Sequence, residues 1–263
     1  MNGLADKRVF ISGGCGDIGR AVAARFLTAG AKVVLGDVLQ SEEGVRVAEA
    51  LHSSHALYTP CDVTSASSVE NSFRIAEEEW KGIDVAVCCA GTVANEPFLQ
   101  ITEAHWERTL NVNLTGSLRV AQAAARLMMK NAPDERKRRG AVIFTGSWVQ
   151  SMPWPEGGSY CASKAGQEML MKVMAQELAP HGITCNVVAP GIVYAGLSRA
   201  IYDSDAVFRQ RANQTIPLGR LCSAEEVAGA FLYLASIDGT YVTGTTIVVD
   251  GGASLVRRDL SSH

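Results

Sequence analysis

Short apolar runs alternate with segments of helical period along the chain. Arg8-Val9-Phe10-Ile11-Ser12 is an apolar run that stops at a glycine-rich turn. The periodic segment from Arg20 to Leu27 follows and ends at Gly30. That order predicts strand, turn, helix and helix stop. Ala31 to Asp37 reads as a second buried strand. The alternation continues with a helix over 41–51, a strand over 56–60, a helix over 65–80 and a strand from Ile83 to Cys88. A long helical stretch over 102–130, a strand over 141–145, a helix over 160–179 and a strand from Ile183 to Val188 come next. A helix over 223–236 and the strand Thr246 to Val249 complete the pattern. Residues 194–216 show no clear period and mixed polarity, which predicts an irregular loop, placed as a lid over a substrate. Six or seven strands alternating with helices predict an α/β protein with a doubly wound parallel sheet and helices on both faces. No linker or repeat interrupts it, so residues 1–263 read as a single domain.

The totals narrow the class. Hydrophobic residues make up 47% and charged residues 19% of 263, which supports a large core and excludes a disordered chain. The net charge of -3 gives no basic footprint for nucleic acid. The run Glu135-Arg136-Lys137-Arg138-Arg139 reads as a solvated turn. The seven cysteines lie mostly in apolar segments, and most read as reduced, buried thiols. With the histidines they form no metal-like spacing, so no metal is expected. No signal-peptide core and no bilayer-length apolar run is present, so a cytoplasmic protein without membrane attachment is expected.

The first strand-turn-helix-strand unit has the form of half a dinucleotide-binding, Rossmann-type sheet. Gly13, Gly16 and Gly19 let backbone N–H groups approach a pyrophosphate at the positive end of the helix. Asp37, at the end of the second strand, can accept bonds from adenosine ribose hydroxyls and would repel a 2′-phosphate. NAD is therefore expected rather than NADP. Ligands in such sheets bind beyond the C-terminal ends of the strands. Gly13–Gly19, Asp37, Asp62, Ala90-Gly91, Ser147 and Pro190-Gly191 all fall at such ends.

Tyr160 and Lys164 are four apart, on one face of a predicted helix. An ammonium beside a phenol favours the phenolate, so the tyrosine pKa is expected to fall. A shift to near neutrality asks about 4 kcal/mol of the site. Ser147, at a strand end thirteen residues earlier, can converge with Tyr160 on one carbonyl or hydroxyl oxygen.

These motifs resemble those of the short-chain dehydrogenase/reductase family over nearly the whole chain. The family's Thr-Gly-x-x-x-Gly-x-Gly loop corresponds to Ser12-Gly13-Gly14-Cys15-Gly16-Asp17-Ile18-Gly19. Asp17 replaces the middle glycine, where it could cap the next helix. Cys88-Cys89-Ala90-Gly91 stands for Asn-Asn-Ala-Gly. Asp62-Val63 matches the adenine-contacting pair, and Pro190-Gly191-Ile192-Val193 matches the nicotinamide-side loop. The resemblance assigns the cofactor to Gly13, Cys15, Asp17, Ile18, Gly19, Asp37, Asp62, Val63, Cys89, Ala90, Gly91, Pro190, Gly191 and Val193, with Tyr160 and Lys164. It implies Tyr160 as general acid/base, Ser147 holding the reacting oxygen, Lys164 on the nicotinamide ribose, and Asn113 positioning a water that relays protons.

For the substrate, Gln150-Ser151-Met152-Pro153-Trp154-Pro155 is similar to the corresponding segment of bacterial glucose 1-dehydrogenases. Gln150, Trp154 and Tyr194, with Ser147 and Tyr160, are the expected substrate contacts, and a sugar or polyol is the expected substrate. Trp154 could equally pack under its loop. The alternative within the fold is a 3-oxoacyl or other carbonyl reductase; Asp37 counts against it, because reductive members commonly prefer NADP. The alternative of another class is a non-catalytic NAD-binding sensor. The family's usual assembly implies a homotetramer through the helices near 102–130 and 160–179. Ala121, Ala123, Ala124, Ala125, Met169, Met171 and Met174 there suit either an interface or a core. The tail from Ala253 does not decide whether it reaches a neighbouring subunit.

Overall fold

Apolar side chains bury both faces of the central strands, as a parallel sheet between helices requires, while the two edge strands are partly exposed. The computed structural model describes residues 3–255, apart from the side chains of residues 197, 201, 208 and 211. Its strands are β1 (Arg8–Ser12), β2 (Lys32–Asp37), β3 (Ala56–Pro60), β4 (Val85–Cys88), β5 (Gly140–Thr145), β6 (Ile183–Pro190) and β7 (Thr246–Val249). They form one seven-stranded sheet in the order β3-β2-β1-β4-β5-β6-β7. Every pairing is parallel. The order reverses between β1 and β4, which opens a crevice at their C-terminal ends.

The helices are α1 (Asp17–Thr28), α2 (Ser41–Glu49), α3 (Ala66–Trp80), α4 (Glu103–Leu110), α5 (Gly116–Met128), α6 (Gly158–Leu178), α7 (Gly196–Ser204), α8 (Ala206–Thr215) and α9 (Ala224–Ala235). Side chains alternate along the strands, so Phe10, Val34, Ala86 and Val142 face a core with α3, α5 and α6. Val9, Ile11, Leu35 and Ile143 face the opposite core with α1 and α9. A smaller cluster around Trp148, Ile216 and Leu221 lies under the segment that follows β5.

Three expectations need correction. The stretch 102–130 is not one α-helix: a π-helical turn, Asn111–Thr115, separates α4 from α5. Residues 194–216 are not irregular, since α7 and α8 lie there. The basic run is not simply solvated. Arg138 is buried and donates to the carbonyls of Leu234 and Ala235 at 3.4 and 2.7 Å, at the negative end of α9. Burial pushes its pKa down, opposed by Asp134. Of the small and apolar residues on α5 and α6, the four alanines, Met171 and Met174 belong to the core, whereas Met169 is exposed. No helix among the described residues is long and apolar enough to cross a membrane. Of the tail beyond Ala253, residues 256–263 lie outside the described residues.

Candidate active site

The crevice between β1 and β4 widens into a cleft of about 370 Å3. Its floor begins at the turn after β1. Gly13 has φ +66°, and a Cβ there would stand 2.6 Å from the Ala90 backbone nitrogen. A Cβ on Gly19 would stand 2.3 Å from the Gly13 carbonyl oxygen. The turn can pass this close to β4 and to its own helix only without side chains. α1 starts at Gly16 with no side chain capping it, so its first-turn N–H groups open on the cleft.

Asp17 does not cap that helix. It is the first helical residue, and its carboxylate reaches across the cleft mouth to accept the Gly196 N–H at 2.7 Å. It also pairs with Arg20 and lies 3.6 Å from Arg199. The bond from Gly196 is the largest cause holding its pKa below the usual carboxylate value. Asp37 lies beside the floor rather than in its lining. Its carboxylate accepts the Cys15 and Val38 N–H groups at 2.9 and 2.8 Å, which fixes a negative charge at the end of β2. Asp62 is exposed at the end of β3 and closes a local turn onto Thr64, while Val63 is buried beside Gly116.

The opposite wall comes from β5 and α6. Ser147, Tyr160 and Lys164 line the cleft together with Cys89, Gly91 and the Pro190–Gly191 loop. Lys164 is buried. Its Nζ donates to the Thr145 carbonyl at 2.6 Å and lies 5.7 Å from the Tyr160 ring centroid. The expected fall of the tyrosine pKa is not found in the protein alone. Burial pushes Tyr160 up, against the influence of the Ser147 hydroxyl. Burial also pulls Lys164 down to about 8. Desolvation is the largest cause of both shifts.

Asn113 sits inside the π-turn, fully buried, and does not line the cleft. Its side-chain amide bonds Thr92 through Oδ1 at 2.8 Å and Nδ2 at 2.9 Å, and Nδ2 also donates to Ser163 Oγ at 3.0 Å. Its carbonyl already accepts from Ser117 Oγ at 2.7 Å and Gln167 Nε2 at 3.3 Å. These bonds engage both Nδ2 protons and the main-chain carbonyl, while Oδ1 accepts only the Thr92 N–H and keeps a second lone pair.

Gln150, Trp154 and Tyr194 stand outside the lining of the cleft. Gln150 turns inward: its Oε1 accepts the Ser147 N–H at 3.2 Å, and its Nε2 donates to Glu168 Oε2 at 2.8 Å. It thus closes the capping box around Ser147. Trp154 packs on Trp148, with ring centroids 5.6 Å apart. Tyr194 donates its hydroxyl to Asp203 and is absent from the lining. Cys15 and Ala90 act through the backbone beside the floor. Sequence reasoning missed Thr145, Ala195, Gly196 and Ser198, which do line the cleft. Thr145 stands at the same strand end as Ser147, and that position is the signal that could have found it.

Two observations test the fit of a nicotinamide dinucleotide. Thr145 Oγ1 is buried at the cleft with no hydrogen-bond partner among the described residues. Gly16 and Gly91 line the cleft, and a Cβ on either would meet no protein atom nearer than 3.5 Å, so it would take up cleft space instead. The residues present fit the cofactor.

Comparison with known proteins agrees with this geometry. The profile of the family described as enoyl-(acyl carrier protein) reductase matches residues 15–254. The 3-oxoacyl-[acyl-carrier-protein] reductase MabA of Mycobacterium tuberculosis is 35% identical over 252 residues, covering 96% of this chain and 94% of that protein. The 3-oxoacyl-[acyl-carrier-protein] reductase FabG of Escherichia coli is 33% identical over 252 residues, covering 95% and 98%. A crystal structure of a short-chain type dehydrogenase/reductase from Mycobacterium marinum superposes with a TM-score of 0.87 at 36% identity, covering 96% of this chain and 97% of that one. These relatives do not support the expected sugar dehydrogenase. With the glycine floor, the serine, tyrosine and lysine on one wall, and relatives matched from end to end, the chain belongs to the short-chain dehydrogenase/reductase family and is an oxidoreductase.

Proposed function

We propose that the protein is an NAD(H)-dependent reductase of a carbonyl group carried by a 3-oxoacyl thioester, acting in the cytoplasm as a homotetramer. The observation that carries the reading is the convergence of Ser147, Tyr160 and Lys164 on one wall of the cleft. The substrate class is supported by the activity named for the relatives, and by the position of Gln150 and Trp154 outside the cleft lining. Asp37 favours NAD(H), because its fixed carboxylate opposes a 2′-phosphate.

A bound nicotinamide would supply or accept the hydride. The residues do the rest. The first turn of α1 and the glycine floor would hold the pyrophosphate, Asp37 the adenosine ribose, and Asp62-Val63 the adenine. Cys89, Thr145 and the Pro190–Val193 loop would hold the nicotinamide end. Ser147 Oγ donates to the substrate oxygen, and Tyr160 gives that oxygen its proton. Because burial keeps the phenol protonated, the resting protein is set as a general acid, which suits reduction. Lys164 holds the nicotinamide ribose and stabilises the phenolate left behind. Its ammonium is lost as pH rises through about 8, so reduction should weaken on the alkaline side of that value.

Phe98, Leu99, Met129 and Met169 expose apolar surface near α4, α5 and α6, in keeping with a tetramer contact. Light scattering would test the assembly. The activity is tested by following NADH and NADPH oxidation with a 3-oxobutanoyl thioester, beside NAD and NADP reduction with aldoses and polyols. Turnover of the thioester with NADH is the expected result. Activity confined to the sugars would overturn the substrate class.

A further inference from the structure

The catalytic wall contains a fully buried amide outside the residues given roles above. Gln167 lies three residues beyond Lys164 on α6, on the same face. Its Oε1 accepts from Lys164 Nζ at 3.5 Å. Its Nε2 donates to Ser117 Oγ at 2.7 Å and to the Asn113 carbonyl at 3.3 Å. Ser117 Oγ in turn donates to the same carbonyl at 2.7 Å.

We propose that Gln167 is a positioning residue for the reaction, fixing Lys164 Nζ at the cleft wall and tying it to the π-turn that carries Asn113. The inference rests on the assignment of Lys164 above. The lysine can only donate and the Asn113 carbonyl can only accept, so the amide has one orientation that satisfies both. A buried carbonyl oxygen without a donor is costly, so the ammonium and the amide complete each other. The network spans α6, the π-turn and the start of α5, and polarisation along such a chain strengthens its members.

The surroundings of Lys164 explain why a neutral acceptor matters. Its titratable neighbours are Tyr160 on its own helix and the thiols of Cys88 and Cys89 at the end of β4. β5 offers the Thr145 carbonyl, and the π-turn and α5 offer Asn113 and Ser117, none of them charged. No carboxylate pairs with the amine among the described residues. Two carbonyl oxygens, from Thr145 and Gln167, therefore favour its charged form.

The test compares Gln167→Leu, which removes the acceptor at similar volume, with Gln167→Glu, which keeps it and adds charge. NADH dissociation constants without substrate and turnover of the thioester are both measured across pH, beside thermal unfolding midpoints. The alkaline limb belonging to Lys164 should move to lower pH by ~0.5–1 unit in the leucine variant and to higher pH in the glutamate variant. Limbs that stay in place in folded variants would overturn the proposal. So would a loss of turnover that is uniform across pH, because that marks a purely structural role. If the leucine variant does not fold, Gln167→Met removes the acceptor with an unbranched side chain, and the same two outcomes decide. Should the wild-type protein turn over no carbonyl, the functional reading fails, whereas the NADH titration still decides the part played by Gln167.

Discussion

The floor of the cleft and its rim are held in different ways. The floor is made of strand ends locked between two apolar cores, with glycines where the backbone must approach itself. The rim, from Val193 to α8, is anchored by a few buried residues, Val193, Ala212 and, just after α8, Ile216, and otherwise by polar bonds near the surface. Asp17 takes the Gly196 N–H, Tyr194 N–H donates to the Cys222 carbonyl at 2.8 Å, and Tyr194 Oη donates to Asp203. Bonds of this exposed kind each contribute little. Dense burial makes a floor that resists movement, and a rim with few buried residues and many exposed bonds opens at smaller cost. A cofactor needs the first property and an entering substrate needs the second.

Substitutions can break that comparison. The largest effect is expected on the catalytic wall. Tyr160→Phe should lower turnover by about 10³-fold while changing NADH affinity only a few-fold, measured by steady-state rates and fluorescence titration. Wild-type turnover in that variant would remove Tyr160 from the mechanism. Next comes the floor. Gly13→Ala places a Cβ against Ala90 at positive φ, and should cost about 1–3 kcal/mol in a denaturant titration, with weakened cofactor binding. An unchanged midpoint would mean that the floor yields more readily than its packing implies. Asp37→Ser should shift the ratio of NADPH to NADH use by about tenfold, equivalent to ~1.4 kcal/mol, in parallel kinetic assays.

The rim should respond least. Asp17→Asn removes the charge that faces Arg20 and Arg199 and should leave stability within about 0.5 kcal/mol. It should speed amide exchange in α7, which hydrogen-exchange mass spectrometry would report. The pH dependence has a definite sign. Asp17 has a folded-state pKa below its unfolded value, so its tether is present above the unfolded carboxylate value and is lost as pH falls through the folded one. Acid should therefore loosen α7 before the sheet, and simultaneous loss of both would contradict the division.

The same division separates what the chain declares locally from what it does not. Each strand is a short apolar run, so the sheet and the functional positions at its ends were legible from residues a few places apart. α8 was not, because Ala206–Thr215 mixes Gln210, Asn213 and Gln214 with a buried stripe resting on Ala212, followed by Ile216. The π-turn shifts a hydrogen-bond register without altering the apolar period, so 111–115 read as ordinary helix. Gln150 and Arg138 misled for another reason. Their partners, Glu168 and Thr246 for one and the end of α9 for the other, are distant in sequence, and only the fold brings them within reach. The tyrosine pKa turned on desolvation, which no spacing of residues encodes.

The order β3-β2-β1-β4 also has a consequence for synthesis. β1 leaves the ribosome before both of its neighbours, yet it ends up between them, and only β2 follows promptly. Until β4 emerges, the nascent chain presents an unpaired, strongly apolar border at Val9–Ile11, the kind of template that recruits other chains. Ribosome-bound chains halted before Val85 should therefore retain chaperone much longer than chains halted after the second half of the sheet has been made.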